Sequence, residues 1–177
     1  EDVRAGFRLD LKGSDHYFGF EADLICFCKA LANGYNVSAL CGKQFLKNSV
    51  SDLSYTGSYW LSAVPFAAGI ACITKMRELD LPKILNEKGE KLKNGLLDAA
   101  KKNGFDLRIT GAPSLFYLRL ADDNSLITHQ RWIAECVKRG VFFTSHHNHF
   151  INYALSDGDI AETVAVADEA FKAIKGM

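Results

Sequence analysis

Lys29 follows the apolar run from Asp23 to Phe27 and precedes the Gly-turn at Gly34. A lysine on a solvated face is a point charge. One whose stem is sheltered by apolar neighbours loses its proton more easily and becomes a nucleophile or general base. A second candidate is Thr56-Gly57-Ser58, hydroxyls and a glycine ahead of a helix. Exposed N–H groups, the positive end of a helix dipole and a side-chain donor suit an anion such as phosphate, and they equally suit a plain N-cap. The run His146-His147-Asn148-His149 offers imidazoles, good ligands for Zn or Ni. Strand alternation would put His147 and His149 on one face, but no Asp, Glu or Cys nearby completes a site. A polar loop near a substrate entrance is the plainer expectation, and no metal is assigned. Arg8 and Arg119 have the fork that binds carboxylates, but Arg119 also fits a polar alternate position in a strand, and neither is assigned.

The elements that must position these groups are read from periodicity and punctuation. Residues 1 to 22 are loop-rich, with Gly6, Gly13 and Gly19 interrupting any long period. Asp23 to Phe27 is a buried strand or a helix start, and Val37 to Cys41 a buried strand after the Gly34-Tyr35-Asn36 turn. A helix is expected over residues 61 to 79, with Pro65 near its start and an apolar face through Phe66, Ile70, Ile73 and Met76. Ser58 then falls in the turn at that helix's N-terminus. Pro82 opens a long helix to about Lys102, with Ile84, Leu85, Leu92, Leu96 and Leu97 inward, weakened by Gly89 and Gly95 and ended by Asn103-Gly104. Strands follow at Phe105 to Ile109 and Leu115 to Leu120. A helix from Ile127 to Arg139 comes next, then strands at Val141 to Thr144 and Phe150 to Leu155. The last helix, capped by Ser156 or Asp157, runs to about Lys175. Residues 83 to 177 thus form an α+β layer on a small, largely antiparallel sheet. Residues 1 to 80 read as active-site loops without the sheet that should carry them.

Composition sets outer limits. The chain has 177 residues, 21 basic against 21 acidic side chains, 48% hydrophobic and 24% charged residues. Zero net charge removes the usual reason to expect nucleic acid or an anionic membrane surface as partner. No apolar run is long enough to span a bilayer. Five cysteines, an odd number in mostly apolar surroundings, do not suggest a disulfide framework, so a reduced, cytoplasmic compartment is expected. Position 1 is Glu, which points to a processed product or part of a longer chain.

Three stretches together resemble the class III aminotransferases, pyridoxal-phosphate enzymes of fold type I that include glutamate-1-semialdehyde aminomutase. Glu1-Asp2-Val3-Arg4-Ala5-Gly6-Phe7-Arg8 is similar to the family's D-E-V-x-T-G-F-R segment. Asp23 to Tyr35 looks like the run around its cofactor lysine. Thr56-Gly57-Ser58-Tyr59-Trp60, with Ala67-Ala68-Gly69, is similar to its S-G-T-F-W turn and Ala-rich helix. The resemblance covers only the family's C-terminal portion. It implies an α/β fold: the end of the large parallel-sheet domain (1–80) and a small α+β C-terminal domain (81–177).

By this resemblance Lys29 forms the Schiff base with pyridoxal 5'-phosphate and moves the α-proton as base and acid. Ser58 stands where the family has a Thr that reaches the phosphate of the neighbouring subunit's cofactor, with Thr56 as the alternative. The family's first acid pairs with the pyridine nitrogen. Here the order is Glu-Asp, so either Glu1 or Asp2 takes that role. A homodimer with its active site at the subunit interface is implied, with a small amino donor and an oxo acid or aldehyde as acceptor. The aromatics Tyr35, Tyr55, Tyr59 and Trp60 cluster around the matched loops, for core, pocket or interface.

The wording leans towards a transaminase rather than an aminomutase, although Asn36 stands where that branch usually has Pro. The upstream phosphate-binding turn and the stacking aromatic have no counterpart here. The chain therefore reads as a fragment that should bind the cofactor weakly or not at all alone. Competing readings are a non-catalytic dimerisation module and a metal-dependent hydrolase built on the histidine run.

Overall fold

The computed structural model describes residues 1–54 and 56–176; Tyr55, named above as a pocket or interface aromatic, lies outside the described residues, as does Met177. The chain divides into two compact units, Glu1–Pro82 and Lys83–Met177.

In the first unit, β1 (Leu24–Phe27) pairs antiparallel with β2 (Ala39–Gly42), Phe27 standing opposite Ala39 and Leu24 opposite Gly42. The strand alternative for Asp23 to Phe27 is the one adopted. The expected strand at Val37 to Cys41 is shifted, because Val37 N–H is taken by the Tyr35 carbonyl in the preceding turn. Two short helices, α1 (Ser14–Phe18) and α2 (Lys47–Ser51), and the longer α3 (Ala63–Leu79) complete the unit. Phe7, Phe27, Leu31 and Met76 form a small core, with Cys72 and Ile73 packed against it.

The inward stripe of α3 therefore differs from the one expected. Gly69 and Met76 are buried, whereas Phe66 and Ile70 are exposed. Fifteen of the twenty exposed large hydrophobic side chains among the described residues lie between Tyr17 and Ile70, led by Leu61 at 94% and Tyr59 at 88%. That excess of apolar surface is what a partner or a further segment would cover.

The second unit takes over α4 (Leu81–Asn103) just past Pro82 and continues through β3 (Leu107–Ala112), β4 (Leu115–Leu120), α5 (Ile127–Lys138), β5 (His149–Phe150) and α6 (Asp157–Ile174). The sheet order is β3-β4-β5, all antiparallel. Along β4, Phe116, Leu118 and Leu120 are buried while Tyr117 and Arg119 are exposed, so one face is covered. Trp132 on α5 stacks on Phe171 of α6, ring centroids 4.8 Å apart, and its indole N–H donates to the Ala167 carbonyl at 3.3 Å. Ser156 and Asp159 form a reciprocal capping box at the start of α6.

Two expected strands are corrected. Val141 to Thr144 is irregular: Val141 N–H bonds the Cys136 carbonyl and Thr144 N–H bonds His149 Nε2, leaving no ladder to join. Of Phe150 to Leu155 only Phe150 belongs to a strand, in β5 with His149, since Asn152 Oδ1 accepts from Leu155 N–H and turns the chain. Gly89 and Gly95, expected to weaken α4, are contact points. A Cβ at Gly89 would overlap the Pro113 carbonyl, and one at Gly95 would stand 2.5 Å from Val164 Cγ2. No helix among the described residues is long and apolar enough to cross a membrane.

Candidate active site

The segment Asp2 to Phe7 folds into consecutive turns that hold Asp2 inside the first unit. Gly6 N–H donates to the Asp2 carbonyl at 3.0 Å, and Asp2 N–H donates to the Cys26 carbonyl of β1 at 2.9 Å. Gly6 is needed for this approach: a Cβ there would lie 2.7 Å from both the Asp2 carbonyl and the Phe27 ring. Phe7 takes φ 64° and packs on Phe27, ring centroids 5.0 Å apart. The Gly-Phe pair thus pins the Asp2 turn onto β1.

Asp2 is 1% exposed. Its Oδ2 accepts from Ser14 N–H at 2.8 Å, while Oδ1 is buried with no hydrogen-bond partner among the described residues. A buried carboxylate oxygen left unpaired costs free energy and calls for an explanation. Glu1, its rival for the same role, is exposed, and its carboxylate accepts from Val3 N–H at 3.0 Å.

Lys29 starts the 3-10 turn Lys29–Leu31 just beyond β1, three residues after the carbonyl that holds Asp2. Its side chain is exposed, so the sheltered stem expected from its apolar neighbours is not found; Phe27 and Leu31 turn into the core on either side of it. Its backbone has φ 44°, a left-handed conformation costing a non-glycine residue roughly 1–2 kcal/mol. Asn33, also left-handed at φ 46°, returns its N–H to the Lys29 carbonyl at 2.9 Å and closes the turn. Backbone strain at a lone lysine is the kind of outlier that marks functional positions.

Ser58 and Thr56 are both exposed and lie before α3. The helix begins at Ala63 with Ser62 as its N-cap, so Ser58 occupies a turn four residues ahead of that cap rather than the helix terminus. In that turn the Trp60 indole sits over Gly57, where a Cβ would collide with it.

The remaining sequence candidates separate. Arg8 is half-buried, and Arg119 reaches the Asp123 carbonyl at 3.3 Å. His147 is exposed, His149 packs on Phe116 with centroids 5.5 Å apart, and no group of three or more described His, Cys, Asp or Glu residues is arranged to hold a metal ion. All five cysteines are free, with Cys26 and Cys41 exposed rather than packed as small hydrophobes. Two groups escaped sequence reasoning. Ser14 contributes through a backbone N–H, which leaves no trace in residue type. His129 is fully buried on α5 with both ring nitrogens unpartnered among the described residues, and a lone His in an amphipathic helix gives no warning of that.

The family model described as aminotransferase class-III matches residues 11–170. The chain belongs to the class-III aminotransferases. Among curated members, it is 37% identical over 174 residues to the aminopentol aminotransferase of Sphingopyxis macrogoltabida, covering 98% of this chain and 41% of that protein. It is 28% identical to a glutamate-1-semialdehyde 2,1-aminomutase of Caldivirga maquilingensis, covering 99% of this chain and 44% of that one. This class-III chain therefore spans less than half the length of the curated relatives it matches. Among solved structures it superposes on the PLP internal aldimine form of the Sphingopyxis sp. MTA144 FumI protein with TM-score 0.95 and 38% identity, over 98% of this chain and 42% of that one. The α/β fold is that of the C-terminal part of a PLP-dependent transferase.

Proposed function

We propose that this chain supplies the lysine and the ring-nitrogen acid of a pyridoxal-phosphate-dependent transaminase. The observation that carries the reading is Lys29, exposed and held in a left-handed conformation at the end of the strand to which the Asp2 turn is fastened. An exposed lysine amine suits a cofactor that carries an aldehyde, and acidic residues on the adjoining turn suit one that carries a basic ring nitrogen. Pyridoxal phosphate supplies the electron sink that makes a substrate's α-proton removable. Glu1 or Asp2 would pair with the ring nitrogen. Lys29 would hold the cofactor covalently and would serve as the base and acid that moves the substrate's proton. Ser58, with Thr56 as the alternative, donates to the phosphate of a partner subunit's cofactor in a homodimer. The exposed apolar surface of the first unit supports such an association, and the free cysteines fit a reducing cytoplasm.

Amino transfer is favoured over internal isomerisation because the 37% relative is an aminotransferase and the aminomutase stands at 28%. That relative is named for an aminopentol, so an aminopentol is the first donor to assay, with a small oxo acid as acceptor. The covering surface also favours a second reading, a non-catalytic association module, and one experiment separates the two. Full-length protein is incubated with pyridoxal phosphate, reduced with borohydride and mapped by peptide mass. Label on Lys29, absent from Lys29→Ala, supports the enzyme. An unlabelled Lys29 in a folded protein leaves only the module.

A further inference from the structure

We infer that the His149 ring is an acid-sensitive latch on the irregular segment between α5 and β5, holding that segment closed only while Nε2 carries no proton. Thr144 N–H donates to His149 Nε2 at 3.2 Å, across a turn of five residues. A neutral imidazole has one N–H and one acceptor nitrogen, so a ring that accepts at Nε2 carries its proton on Nδ1. Protonation puts a hydrogen on Nε2 as well, and two donors then face each other. Acid therefore abolishes this bond rather than weakening it. The segment depends on such ties because it joins no ladder. Val141 N–H bonds the Cys136 carbonyl at the helix end, and Thr144 Oγ1 donates to the His147 carbonyl at 3.0 Å inside the turn.

Packing holds the ring where it can receive the bond. β5 sets His149 opposite Phe116 of β4, on whose ring it stacks with centroids 5.5 Å apart. Phe143, the residue before the donor, meets it edge-on at 5.4 Å. Nδ1 is buried with no hydrogen-bond partner among the described residues. Burial is the largest influence against a charge on this ring; His147 in the segment itself and His129 on α5 add to it, and the Phe116 backbone on β4 opposes it. The closed form thus resists the proton, which enters by the ring turning out into water, where imidazole titrates at its ordinary 6.5. Linkage then raises the open fraction about tenfold between about pH 7.5 and about pH 5.5. The turn that this releases carries His146 and His147, both exposed.

Hydrogen exchange of the Thr144 amide in the intact protein tests the latch, after correction for the intrinsic effect of pH on exchange. Its protection should fall about tenfold between about pH 7.5 and about pH 5.5. At both values it should stay well below that of the Ala167 amide, fully buried in α6, which opens only with the whole unit. Protection at Thr144 that does not change with pH, or that equals the protection at Ala167, overturns the inference. His149→Gln supplies an acceptor oxygen that does not titrate, so in this variant Thr144 should be protected alike at both values. A tenfold fall that survives in folded His149→Gln also overturns it. Should that variant not fold, nitrogen NMR of the unmodified His149 ring decides near neutral pH: a proton on Nδ1 supports the latch, and a proton on Nε2 refutes it.

Discussion

A carboxylate buried with one oxygen unpartnered lowers the stability of the protein that carries it, and Asp2 therefore makes a trade measurable. Asn at this position keeps an acceptor for Ser14 N–H while removing the buried charge. Asp2→Asn should raise the stability of the cofactor-free protein by about 1 kcal/mol and weaken pyridoxal phosphate binding at least tenfold. Thermal melts without cofactor and equilibrium dialysis with it would show the two effects moving in opposite directions. Sequence alone did not show that Asp2 is buried and Glu1 exposed, because adjacent acidic residues do not announce burial. Lys29 was singled out through its flanking residues, but the sheltered stem they suggested is not found. Its left-handed backbone and exposed side chain were not legible, since no residue pattern forces either.

The helices carry a contrast that propensity by itself would miss. Gly69 on α3 meets the Leu31 carbonyl at an ordinary 3.6 Å from a would-be Cβ, whereas Gly89 on α4 has Pro113 in the way. Gly69→Ala should be neutral or stabilising by up to ~1 kcal/mol, and Gly89→Ala destabilising by about 1–3 kcal/mol. Urea unfolding of both variants checks the signs. The helices of the second unit were readable because their apolar period and their caps, Ser156 and Gly140, agree. The strands at 141–144 and 150–155 were not, because their N–H groups go to a helix end, a histidine ring and an Asn side chain.

A second element-scale consequence concerns α5 and β5, which bring His129 and His149 into one aromatic cluster with Trp132 and Phe143. Burial pushes both imidazoles below their ordinary value of 6.5. Around His129, Asp123 opposes the shift while Arg119, His149 and His146 add to it; for His149 the Phe116 backbone opposes and His147 adds. The unfolded chain takes up protons below 6.5 and the folded unit resists. The stability these rings allow is therefore present above that pH and lost as pH falls through and below it. Trp132 fluorescence should show a lower urea midpoint at about pH 5.5 than at about pH 7.5, with His149→Phe reducing the difference.

For the whole chain, fold class was legible because three short motifs kept their order and spacing, and the family match over residues 11–170 takes in the second and third of them. What could not be read was how much of the first unit's apolar character stays outside. Composition counts hydrophobic residues without saying which side of a helix faces solvent, and Phe66 and Ile70 were assigned inward. The exposed aromatics from Tyr17 to Trp60 meet a chain whose charges cancel, with a sequence pI near 7.2. Colloidal repulsion is therefore weakest close to neutral pH, where apolar contact between molecules meets the least opposition. Light scattering of this 177-residue chain should show its solubility minimum there, and recovery should improve as the buffer moves away from pH 7.2.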